Sequence, residues 1–161
     1  MKACNQGRFA VIAFLGLLCG LAAPAPARGQ MGSASQIPSS ALMQPAELNT
    51  ILRTKSAPQP LILQVGSRVM FDEAHIPGAE YAGPGSQAQG LKLLRKRVEK
   101  LGHETPIVIY CGCCPWSRCP NIWPAYKTLH DMGFAHVQAL YLADNFGTDW
   151  ANKGYPVENP H

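Results

Sequence analysis

Four thiols stand within nine residues at Cys111, Cys113, Cys114 and Cys119, directly after the apolar run Ile107-Val-Ile-Tyr110. A thiol at the carboxyl end of a buried strand, followed by a tight loop and a helix, sits where backbone N–H groups and a helix N-terminus converge on its sulfur. Such surroundings favour the thiolate, the reactive form, so Cys111 is the leading nucleophile. Two other uses of the same residues stand beside it. Cys111-Gly-Cys113-Cys114 contains a Cys-x-x-Cys spacing, which suits thiol–disulfide exchange with Cys113, Cys114 or Cys119 as resolving thiol. Three or four clustered thiolates also suit Cu(I) or Zn(II), although a second, separated Cys-x-x-Cys knuckle is missing. Within the loop Arg118 offers a cation for an anionic substrate and Ser117 a hydrogen bond.

Other chemistries are excluded by spacing. An oxyanion-binding Cys-x5-Arg loop would need a cysteine six residues before Arg118, where Gly112 stands. His103, His130, His136 and His161 are scattered, with no pair at helical ligand spacing. The formal charge is +4 over 161 residues, and Lys2 and Arg8 belong to the leader described next, so the remaining chain is only weakly basic. Nucleic-acid binding is not expected.

Lys2 and Arg8 precede the apolar run Phe9 to Ala23, and Ala25-Pro-Ala27 follows as a small-residue cleavage site. Residues 1–27 therefore read as an export signal, too short in its apolar part for a membrane span. A periplasmic or secreted protein without stable membrane insertion is expected, and Cys4 and Cys19 leave with the signal. The four remaining cysteines lie in one loop and do not form a scaffold tying distant segments together. Residues 28–43, rich in Gly, Ser, Gln and Pro, read as a flexible lead-in, and residues 44–161 as one domain.

The elements that must position the loop follow from periodicity. Gln44 to Leu52 carries apolar residues at helical spacing with Pro45 at its entry. Leu61 to Val65, Ile107 to Cys111 and His136 to Leu142 are short apolar runs typical of parallel strands covered on both faces. Leu91, Leu94, Val98 and Leu101 form one helical stripe that Gly102 would close, and Asn121 would cap a helix running to Gly133. Alternating short strands and helices give an α/β domain.

Four segments resemble the rhodanese-like sulfurtransferase family. Phe71-Asp-Glu-Ala-His75-Ile-Pro-Gly78-Ala79 is similar to its aromatic-x-x-Gly-His-Ile-Pro-Gly-Ala segment, with Ala74 in the glycine place. Tyr110-Cys111 resembles the strand ending in the active cysteine. Leu129 to Val137 resembles the next helix end and strand, and Trp150 to Val157 the closing Trp-x-x-x-Gly-x-Pro-Val. The resemblance covers residues 44–157 and implies a three-layer α/β/α domain with a central, mainly parallel sheet. It also implies sulfur transfer or carriage through a persulfide on Cys111, with a small anionic sulfur donor, a thiol acceptor and no cofactor; the alternative reading adds copper or zinc.

The chain departs from that pattern in three places. Gln64-Val65-Gly66 stands where the family carries Asp-x-Arg, so that buried ion pair cannot form. The interval from Cys111 to Gly133 is longer, and Cys113, Cys114 and Cys119 are additional thiols.

Overall fold

The computed structural model describes residues 33–54 and 58–159. Five parallel strands form one sheet: β1 (Leu42–Met43), β2 (Leu61–Gln64), β3 (Glu80–Tyr81), β4 (Ile107–Tyr110) and β5 (Val137–Leu140), in the spatial order β1-β5-β4-β2-β3. β4 lies at the centre, paired with β2 through Leu61–Ile107 to Gln64–Tyr110 and with β5 through Ile107–Val137 to Ile109–Ala139. All four β4 residues are buried, as expected for a strand covered on both sides.

Side chains alternate across the sheet, and this parity builds two cores. Ile107 and Ile109 of β4 join Leu63 of β2 on the face covered by α3 (Ala88–Val98) and α4 (Ile122–Asp131), against Leu94, Val98, Ile122, Ala125 and Leu129. Val108 and Tyr110 face the other layer, made by α1 (Pro45–Arg53), α2 (Arg68–Glu73) and α5 (Phe146–Asp149), and meet Leu48, Phe146 and Trp150. The result is the expected three-layer α/β/α arrangement. Cys111 continues the alternation of Ile107 and Ile109, so its side chain belongs to the α3/α4 face.

Three expectations are corrected. Order does not begin at Gln44: residues 33–43 form two 3-10 turns and strand β1, which pairs with β5, and Ala34, Ile37, Ala41 and Met43 are buried. The run is too short and too mixed to show a period in sequence; the first 3-10 turn is held by tertiary contact with α4 and the 3-10 turn Trp116–Arg118, and the second turn and β1 by contact with β5. Residues 1–32, including the leader, Cys4 and Cys19, lie outside the described residues. Gly102 does not cap α3, which ends at Val98 with Glu99 in right-handed geometry and Gly102 already in the loop. Asn121 occupies the N-cap position of α4 but makes no capping bond, being used elsewhere.

The closing segment behaves as core. Trp150 is fully buried, its indole N–H donates to the Pro156 carbonyl oxygen at 2.8 Å, and its ring meets Tyr155 edge-on. His75 exchanges backbone hydrogen bonds with Glu158, stacks on Phe71 and places Nδ1 2.8 Å from the Phe71 carbonyl oxygen. It anchors the loop before Pro77. Among the described residues no helix is long and apolar enough to cross a membrane.

Candidate functional site

The loop begins where β4 delivers Cys111 to the sheet's carboxyl edge. Gly112 follows at φ +74°, and a Cβ there would stand 2.8 Å from the Phe146 Cβ, so this turn requires glycine. Its carbonyl oxygen accepts from the Phe146 N–H at 3.0 Å, fastening the loop to α5. The reversal returns the Cys113 sulfur to 2.9 Å from the Cys111 sulfur, and Cys114 Sγ lies 3.5 Å from Cys113 Sγ. Beyond Pro115 the chain makes the 3-10 turn Trp116–Arg118, held by the Trp116 N–H on the Ala143 carbonyl oxygen and by the Trp116 ring against Tyr141. This fold-back brings Cys119 home: the sulfurs of Cys111, Cys114 and Cys119 lie within 4.8 Å of one another. The added loop length thus gathers all four thiols at one point, and all four are free.

The sulfurs are not equivalent. Cys111 is 4% exposed and Cys119 is also buried, whereas Cys113 and Cys114 are half-buried. Hydrogen bonds received from Cys111 and Cys119 hold Cys113 well below the ordinary thiol range, while the bond that Cys111 gives to Cys113, with burial, pushes Cys111 far up. Burial and the neighbouring Cys113 raise Cys114. Cys119 is lowered by Cys111 and by the amides of Asn121 and Ile122, but its bond to Cys113 and its burial outweigh them. Among these four thiols the lowering falls on Cys113, while the hydrogen bond to Cys113 and the burial that follows from sheet parity work against ionisation of Cys111. The amides at the start of α4 act on Cys119.

Three residues outside the cysteine run shape the site. Asn121 donates from Nδ2 to Cys111 Sγ at 3.3 Å and more distantly to Cys113 Sγ at 3.8 Å, while its Oδ1 accepts the Ser86 N–H at 3.0 Å. Gln64, buried at the end of β2, donates to the Cys111 carbonyl oxygen at 3.2 Å and accepts the Gly66 N–H at 3.1 Å. A neutral carboxamide thus ties β2 to the loop where the family pattern has an ion pair. Gly66 leaves the space that Cys111 needs, because a Cβ there would lie 2.9 Å from both the oxygen and the sulfur of Cys111. The departure Gln64-Val65-Gly66 was the signal for two of these roles, and the asparagine opening α4 for the third.

Two large openings reach the loop. One, about 420 Å³, is lined by Gly66, Arg68, Tyr81, Gln87, Cys113 and Asn121 among others. The second, about 320 Å³, runs on the opposite side past Cys111, Tyr110, Glu73 and Phe146. Arg68 is the cation of the first opening; it pairs with Asp72 at 2.8 Å and lies over the Tyr81 ring. Arg118 and Ser117 are brought to neither opening. Both are exposed on the 3-10 turn, and neither side chain bonds a sulfur.

The family model for the rhodanese-like domain matches residues 44–147. Among solved structures, the chain is similar to the Alr3790 protein from Anabaena sp., at 24% identity and a TM-score of 0.54 over 73% of this chain and 91% of that one. It is also similar to the BH2092 protein from Bacillus halodurans, at 22% identity and a TM-score of 0.58 over 74% and 77% of the two chains. A thiosulfate sulfurtransferase from Pseudomonas aeruginosa aligns at 23% identity and a TM-score of 0.52, over 74% of this chain but 20% of that one. No curated protein matches significantly.

Proposed function

The chain belongs to the rhodanese-like domain family, and from that premise we propose that it takes up and passes on sulfane sulfur through a cysteine persulfide in this loop. The supporting observation is the pairing of Cys111 at the strand end with Cys113, whose sulfur lies 2.9 Å away; Cys113 lines the groove that also holds Arg68, and Cys111 lines the opening on the other side. Cys113 is the attacking sulfur and Cys111 its hydrogen-bond donor. With an anionic donor such as thiosulfate, the Cys113 thiolate attacks the outer sulfur, the donor's S–S bond breaks, and sulfite leaves with the electron pair. An acceptor thiolate then attacks the outer persulfide sulfur and releases Cys113. Arg68 stands in the groove to attract the anion, the role first expected of Arg118. The leader at residues 1–27 would place this chemistry outside the cytoplasm.

Intact-mass measurement of the reduced protein after thiosulfate treatment tests the reading. The wild type is expected to gain one sulfur atom and Cys113→Ser none. A wild type that neither gains sulfur nor releases sulfide would end the proposal, and an equal gain on Cys113→Ser would end the assignment to that residue.

A further inference from the structure

We propose that the same loop is a binding site for one soft d10 metal ion, Cu(I) or Zn(II), held by the thiolates of Cys111, Cys114 and Cys119 with Cys113 within reach as a fourth ligand. Four sulfurs around one ion need mutual separations of about 3.8 Å, the edge of a tetrahedron with bonds of about 2.3 Å. The first three already lie within 4.8 Å of one another, and Cys113 stands 2.9 Å from Cys111 and 3.5 Å from Cys114. Closure takes side-chain rotation in a loop whose backbone is already turned.

A second observation concerns the space between them. A gap of about 10 Å³ is bounded by the same three cysteines, with Trp116, Ile122 and Leu140 among its other walls. That is at the lower limit for one water, which would also need polar partners of its own. An ion whose ligands are the wall sulfurs themselves suits so small a sulfur-lined space, and a hydrated hard cation does not. No histidine or carboxylate joins the group among the described residues, so the donor set is purely soft.

Binding replaces thiol protons with metal–sulfur bonds and releases the protons to solvent, with no change in oxidation state. It occupies Cys111, the hydrogen-bond partner of Cys113, and with a fourth bond Cys113 itself. Metal loading and persulfide formation therefore compete for one loop.

The test uses purified, fully reduced protein under anaerobic conditions, titrated in separate arms with chelator-buffered Cu(I) and with Zn(II). The expected result in at least one arm is one ion per chain by native mass spectrometry, with protection of the loop thiols from alkylation. Cys114→Ser and Cys119→Ser should each weaken binding by about tenfold or more, as loss of a thiolate ligand requires. Should Cys119→Ser fail to fold, the half-buried Cys114→Ser carries the comparison, its fold checked by circular dichroism. Failure of both ions to bind at one per chain, or binding unchanged in the folded variants, would overturn the inference. Sulfur loading is measured separately on metal-free protein, so failure of the metal site leaves persulfide chemistry standing, and the reverse also holds.

Discussion

The Asn121 carboxamide donates to the Cys111 sulfur at 3.3 Å from the very position where helix α4 would otherwise use it as a cap. Its oxygen is committed to the Ser86 N–H, so the amide orientation is set by the chain opposite, and the N–H is aimed at sulfur. One buried side chain thereby couples the loop, the start of α4 and the entry to α3.

Asn121→Ala removes its bonds to the Cys111 and Cys113 sulfurs and to the Ser86 N–H. Loss of an intramolecular hydrogen bond costs about 0.5–1.5 kcal/mol net. Urea unfolding of the variant should show a lower midpoint at an unchanged slope, and the Cys111 thiol should react faster with a small alkylating agent. A midpoint equal to that of the wild type would show that water replaces the amide without loss.

Gly66→Ala tests the close approach of β2 to the loop. The added methyl meets the Cys111 carbonyl oxygen and sulfur at 2.9 Å, and the Gln64 Nε2 at the same distance. Overpacking of a tight contact costs about 1–3 kcal/mol. Stability and sulfur uptake should fall together, because the same displacement moves Cys111; unchanged uptake in a destabilised variant would separate the two roles.

Cys111→Ser should change the fate of a persulfide on Cys113. In the wild type Cys111, once it has given up its proton, can attack the inner sulfur in a step slower than loading, forming a Cys111–Cys113 disulfide and expelling sulfide, and an external dithiol then restores both thiols. With serine the persulfide should persist. Sulfide release and disulfide mass in the wild type, against accumulated sulfur in the variant, are the measurements; sulfide released equally by both would remove Cys111 from this step.

Acid should weaken the pairing of Glu80, on β3, with Arg97, on α3. The hydrogen bond from Arg97 holds the Glu80 carboxyl below its ordinary value of 4.5. A depressed carboxyl contributes stability above its unfolded pKa and loses it as pH falls through the lower, folded value. Urea midpoints of the wild type should therefore drop more steeply below about pH 4.5 than those of Glu80→Gln. Both groups are partly exposed, so the difference should be small and should shrink in high salt. Parallel pH curves would show that the pair contributes nothing.

Much of the architecture was readable because it is written locally. The runs at 61–65, 107–111 and 136–142 are short, largely apolar and bounded by proline, glycine or polar residues, and they became β2, β4 and β5. The stripe of Leu91, Leu94 and Val98 likewise became the inner face of α3. Short elements escaped: the two-residue strands β1 and β3 and the helices α2 and α5 are too brief to display a period, and they exist because the finished sheet and core hold them.

By itself, then, the chain's sequence determined a parallel α/β domain with four thiols at the carboxyl edge of its central strand. Which sulfurs touch, which cation lines the groove beside them and what the buried carboxamides do were decided only by the tertiary structure. Gln64 meets Cys111 across 47 positions and Ser86 meets Asn121 across 35. Periodicity reports which face of an element is buried, but ionisation depends on distances of a few ångströms between groups far apart in the chain, and those exist only once β2, α3 and the loop are packed together.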